Sequence, residues 1–189
     1  MVETQNLMAS IQGPGLEVEL QPQFQAASLR YFDSAGAFAG VIRSISGLDI
    51  PTGLRATHRV HSADGQGMTV LAWRSPSETT LLTTENGLID ALQSAAARLA
   101  DGCMVDQRGG LLVFGARGEA VPELVAKKAG YGAMPAIGES RRTRFADVAV
   151  SIAKLRADQT LFIVDRIYAP HVMASIRISA ENLAAPLYD

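Results

Sequence analysis

The sequence is poor in the residues that usually announce chemistry. Its one cysteine, Cys103, excludes a disulfide within the chain, and a reducing, cytoplasmic setting is expected. No apolar run approaches the roughly 18 residues that span a bilayer. The start, "MVETQNLMAS", lacks a basic region followed by an apolar one, so no secretory signal is expected. A net charge of −2 gives no excess of positive charge for nucleic acid or anionic lipid. There is no GxGxxG and no GxxxxGK followed by Ser or Thr, so phosphate-binding fingerprints are missing. "QRGG" and "GARGEA" read as tight turns.

What is present is an ordinary core. Of 189 residues, 48% are hydrophobic and 19% charged, which suits a globular domain with a real interior. Residues 1–22, broken by "GPG" and "QPQ", read as an N-terminal arm or tail. Residues 23–180 read as a single domain, and 181–189 as a short tail. "FQAASLRYF" reads as a first strand. Asp33 or Ser34 then caps a helix over 35–46 that stops near Gly47. "GMTVLAWRS" and "ETTLLTT" around "SPSE" form a hairpin signal. Leu88, Leu92, Ala95 and Leu99 recur at helical spacing, with Asn86 as N-cap and Gly102 as stop.

"CMVDQRGGLLVFG" reads as two short strands. Pro122 opens the next helix, Lys127 and Lys128 suit its last turn, and Gly130 ends it. "RTRFADVAVSIAKL" and "QTLFIVD" read as two strands joined by "RADQ", before a helix over about 169–178. Strands in runs between helices predict an α+β fold with a mostly antiparallel sheet and packed helices.

Candidate site residues are few. His58 and His61, three apart in a strand or loop, point to opposite faces and lack a nearby carboxylate or Cys, so they read as solvated. His171 sits in the first turn of the last helix, where the helix dipole disfavours its protonated form. Cys103, with no visible base, reads as a small buried hydrophobe. The basic cluster is Arg141, Arg142 and Arg144; strand alternation puts Arg142 and Arg144 on one face and Arg141 on the other. No catalytic, cofactor-binding or metal-binding residue emerges. Arg142, Arg144, Tyr168 and His171 are the candidates for a subunit interface.

Three segments resemble a known family in order and spacing. "VLAWRSPSETTLLTT" resembles the strand–turn–strand of the gamma subunit of heterotetrameric sarcosine oxidase, whose turn usually reads Gly-Pro-Asp-Glu-Trp. "MVDQRGGLLVFGARGEAVPELVAKKAG" resembles the segment around its Val-Asp-(Val/Leu)-Ser, which leads through a strand and a turn into a short helix. "TRFADVAVSIAKLRADQTLFIVDRIYAPHVMASI" resembles its closing strand–strand–helix unit. The likeness covers roughly residues 24–178. It departs at Thr79, at Gln107, and at Ile167, which stands where a capping Ser is usual and would forfeit about 1 kcal/mol. Pro170 partly offsets that loss.

The resemblance implies a fold like the folate-binding domain of aminomethyltransferase. It further implies a gamma-type, non-catalytic subunit partnered with alpha, beta and delta subunits, chiefly alpha, with no nucleic acid or membrane partner. The complex would oxidise sarcosine or a related N-methyl amine. FAD and FMN would sit in beta, NAD and tetrahydrofolate in alpha and zinc in delta, with no cofactor bound by this chain. An alternative is a stand-alone folate or pterin module, with Asp106 as the nearest acidic ligand. Another is a subunit of a related N-methyl amino acid dehydrogenase or demethylase.

Overall fold

The computed structural model describes residues 10–61 and 67–183. In chain order these form β1 (Ile11–Gly13), β2 (Leu16–Leu20), β3 (Gln25–Tyr31), α1 (Ala37–Ser46), β4 (Ala56–Val60), β5 (Met68–Ser75), β6 (Glu78–Thr83), α2 (Leu88–Ala96), β7 (Gly102–Asp106) and β8 (Leu111–Arg117). There follow α3 (Val121–Ala129), β9 (Glu139–Phe145), β10 (Val148–Arg156), β11 (Gln159–Asp165), a 3-10 turn (Arg166–Tyr168) and α4 (Ala169–Leu183). The fold is α+β, as expected. The strand registers are antiparallel in both sheets. No helix among the described residues is long and apolar enough to cross a membrane.

The chain forms two compact units, where one domain over 23–180 was expected. One unit takes residues up to Gln21, then Gly110–Ile137, then Arg142 onward. The other takes Pro22–Gly109 and Gly138–Arg141. Each unit is discontinuous in sequence, which no local composition change marks.

The first unit holds the sheet ordered β1-β2-β8-β11-β10-β9. Val150 and Ile152 of β10, and Phe162 and Val164 of β11, alternate onto one face and gather with Val172, Met173 and Ile176 of α4. Phe145 and Phe162 stack edge to face at 5.3 Å, a favoured aromatic geometry. The expected arm is not one: residues 11–20 form a hairpin of this sheet. Ile11, Leu16 and Val18 are buried in its core, while Gln12, Glu17 and Glu19 alternate outward. The polar look of the segment was half of a period-2 pattern. Gly15, at φ +63°, supplies the turn. Residues 1–9 and 184–189 lie outside the described residues, as do parts of both expected tails; residues 181–183 extend α4.

β9 and β10 are separate strands, where one was expected. They are joined by Ala146 and Asp147, both at positive φ (50° and 68°). Such a two-residue loop normally carries Asn or Gly, so "FAD" gave no turn signal.

The second unit holds the sheet ordered β4-β5-β6-β3-β7. Ala27, Leu29 and Tyr31 of β3, with Leu71 and Leu81, pack under Phe38, Ile42, Ile89 and Leu92 of α1 and α2. Its buried hydroxyls satisfy one another: Thr69 with Thr83, and Tyr31 with Thr79, each at 2.9 Å. Buried Ser140 donates within reach of two carbonyls, Trp73 at 2.8 Å and Arg55 at 3.1 Å.

The helix caps differ from expectation. Helix α1 begins after Gly36, and the amide of its Phe38 donates to Asp101 Oδ2 at 2.9 Å. That cap comes from 63 residues away. Asp33 instead turns the preceding loop, accepting from the Ala35 amide at 2.9 Å. Helix α2 starts after Gly87 in the left-handed region, and the Asn86 side-chain Oδ1 accepts from the Gln25 side-chain amide at 3.2 Å instead of capping the helix. It ends at Ala96, so Gly102 is not its stop but the first residue of β7.

Candidate functional site

Two places merit functional scrutiny, one in each unit. In the first unit, the Ala146–Asp147 turn collects several of the candidate interface residues. The Arg144 guanidinium donates to the Asp147 carbonyl at 3.3 Å, with the Asp147 carboxylate 3.7 Å away. His171 Nε2 donates to the Ala146 carbonyl at 2.7 Å. That bond fixes the proton on Nε2 and ties the first turn of α4 to the hairpin. Arg142 is exposed like Arg144 and shares its face of β9, while Arg141 is half-buried opposite them. The alternation read from the sequence is therefore present. Tyr168 lies one helical turn before His171, 42% exposed, next to Ile167 at 79%. The 3-10 turn precedes α4, so Pro170 falls at its second residue and Ile167 stays outside the helix.

In the second unit, an open cleft of about 510 Å³ lies where β3, the β5–β6 turn and β7 end. Arg30, Tyr31, Phe32, Glu78, Gly102 and Cys103 are among its walls. Gly102 is required there: a Cβ would overlap the ring of Phe38. Glu78 accepts from Arg74 at 3.0 Å, and Arg30 lies 3.9 Å from the same carboxylate. Burial pushes the Tyr31 phenol above its ordinary range, against the opposing effect of its bond to Thr79. Phe32, 91% exposed, projects from the rim.

Cys103 is exposed, not a buried hydrophobe. It falls on the outer strand of the sheet, with its side chain on the face away from Met104 and the helices. That position depends on strand order, which the local "GCMV" does not encode. His61 is an exposed residue, as expected, with its ring 3.3 Å from Thr69 Oγ1 and 3.7 Å from Glu85. His58 lies on β4 opposite Val70. Asp106 is already engaged. It accepts from the Arg108 amide and guanidinium, both at 2.8 Å. Those bonds to Arg108 hold its carboxyl below the usual range. Arg108 also pairs with Asp90 at 2.9 Å. Asp106 is thus a turn residue whose carboxylate is already paired with Arg108. Among the described residues, no three His, Cys, Asp or Glu side chains gather to hold a metal.

Reading alone missed the cleft, because its walls come from three separated segments. The aromatic Phe32, exposed just after β3, was the one local hint.

No protein-family model matches the chain, and no curated protein matches it in sequence. Its fold is that of the aminomethyltransferase class. The chain superposes on the glycine cleavage system aminomethyltransferase T from Bartonella henselae with a TM-score of 0.61 at 8% identity, covering 94% of this chain and 48% of that one. It therefore spans about half the length of that enzyme. It is also similar to a chain of the heterotetrameric sarcosine oxidase from Corynebacterium sp. U-96, determined in complex with pyrrole 2-carboxylate. There the TM-score is 0.81 at 16% identity, covering 100% of this chain and 95% of that one. The fold is accordingly like that of a sarcosine oxidase subunit, as the sequence resemblance implied.

Proposed function

We propose that this chain is a gamma-type, non-catalytic subunit of a sarcosine oxidase-like heterotetramer. One observation carries the reading: the match to a chain of such a complex runs end to end, whereas the match to aminomethyltransferase leaves half of that enzyme without a counterpart. In this reading the complex oxidatively demethylates sarcosine or a related N-methyl amine. N-methyl amine, oxygen and water give the demethylated amine, formaldehyde and hydrogen peroxide, or the carbon unit passes to tetrahydrofolate. The alpha, beta and delta partners carry FAD, FMN, NAD, tetrahydrofolate and zinc. This chain supports the alpha subunit, and the surface around Arg142, Arg144, Tyr168 and His171 is a contact region. The exposed Ile167 and Tyr168 supply the apolar component that such a contact needs.

Purification of the tagged chain from its native cells tests this. The expected product contains a flavin-coloured large subunit, and the chain expressed alone is colourless. A chain that runs alone from those cells, without flavin, defeats the proposal. Tetrahydrofolate titration of the isolated chain separates the alternative module: micromolar binding would favour it over a supporting subunit.

A further inference from the structure

β7 is the outer strand of its sheet, and it lacks the devices that usually protect such a strand. It contains no Pro and no Lys, and its five residues pair one to one with β3, without a bulge. Two flanking bonds fix which backbone groups point outward. The Phe32 amide donates to the Asp101 carbonyl at 3.0 Å, and the Gln107 amide donates to the Ala26 carbonyl at 2.9 Å. Antiparallel alternation then turns Cys103 and Val105 toward β3 for bonding. It leaves the N–H and C=O of Gly102, Met104 and Asp106 directed away from the sheet. Among the described residues, no hydrogen bond takes up the backbone groups of Gly102 or Met104.

The adjoining cleft adds a side-chain preference. Cys103 and Val105 share one face with Arg30, which pairs with Cys103 across the ladder. Arg74 holds Glu78 at 3.0 Å, so Arg30, at 3.9 Å and 61% exposed, keeps a guanidinium edge for another carboxylate. Glu78 is thus already engaged by Arg74, and Arg30 is the exposed cation of the cleft wall. Phe32 provides an exposed ring beside it.

We propose that the β7 edge and this cleft dock an extended segment of a partner polypeptide, which adds a sixth strand to the sheet. The segment bears carboxylate side chains on the face it shares with Cys103 and Val105, where one meets Arg30. Unpaired backbone groups call for a strand, and the exposed guanidinium of Arg30 calls for a carboxylate on it. The inference gives the subunit reading a contact surface, but its test needs no other subunit.

The probe is a blocked nonapeptide alternating valine and glutamate, with a valine–lysine peptide as its counterpart, both added to the purified chain. With the acidic peptide, amide exchange at Gly102 and Met104 should slow by about tenfold or more. Alkylation of Cys103 should slow in parallel. The lysine peptide should bind about fivefold more weakly, the scale of one exposed ion pair, and Arg30→Ala should erase the difference. Met104→Pro, which removes an outward N–H, should abolish protection; if it does not fold, Val105→Glu should weaken binding of the acidic peptide. Unchanged exchange at β7 with either peptide overturns the proposal. So does protection in the free chain that tracks a concentration-dependent dimer, because a second copy then occupies the edge.

Discussion

The two units build the same motif, an antiparallel sheet under two helices, with different materials. The first has a hydrocarbon interior centred on Phe114, Phe145 and Phe162. The second threads hydroxyl pairs and a long-range Asp101 cap through its packing. Hydrocarbon packing is non-directional and tolerates no void. Hydroxyl pairs and caps are directional and fix neighbours one at a time. The unit built on directional contacts is also the one that carries the cleft and the unprotected edge.

Mutations sharpen that contrast. Phe162→Ala should be the most damaging, at about 3–5 kcal/mol, because it opens a void where Phe162 meets Phe145. Denaturant titration measures it, and a loss below about 1 kcal/mol would erase the distinction between the cores. Gly102→Ala should cost about 1–3 kcal/mol, since the new methyl must displace the Phe38 ring. Its crystal structure should show Phe38 shifted. Asp101→Ala should cost about 1 kcal/mol by uncapping α1, seen as faster amide exchange at Phe38.

A pH titration probes the second unit alone. Tyr31 is kept neutral by burial, so its folded value lies above the unfolded one. Its contribution is complete below about pH 10 and is lost as pH rises through the folded value. Tyr31→Phe should flatten the alkaline fall in melting temperature, and an unchanged fall would assign it to other groups. The smallest effect on stability should come from replacing Arg142 and Arg144 together by Ala, within about 0.5 kcal/mol, because both are exposed. Their loss should instead weaken subunit assembly, measured by sedimentation. Normal assembly with altered substrate kinetics would place them at the chemistry.

Legibility followed the range of the interaction. Helix α3 was readable because Pro122, Lys127, Lys128 and Gly130 act within one helix. The hairpin of β5 and β6 was readable because "SPSE" lies between two β-rich runs. The β1–β2 hairpin was hidden because half its residues face outward and the residues of β8 that pair with it lie 94 to 100 positions on. Ala146 and Asp147 hid a turn because tertiary contacts hold an unfavourable φ: the Ala146 amide donates to the Lys128 carbonyl, and the Ala146 carbonyl accepts from His171. Of the candidate interface, the alternation of Arg142 and Arg144 was legible, and the anchoring of Arg144 to Asp147 and of His171 to Ala146 was not.

The sequence by itself determined the period of each element and hence an α+β fold with antiparallel strands. Side-chain periodicity is a local property of the backbone. Tertiary structure alone decided which strand stands at an edge, which glycine meets Phe38, and which carboxylate caps α1. Those outcomes depend on strand order, which is set by the burial of whole faces and by ladders between residues far apart in the chain.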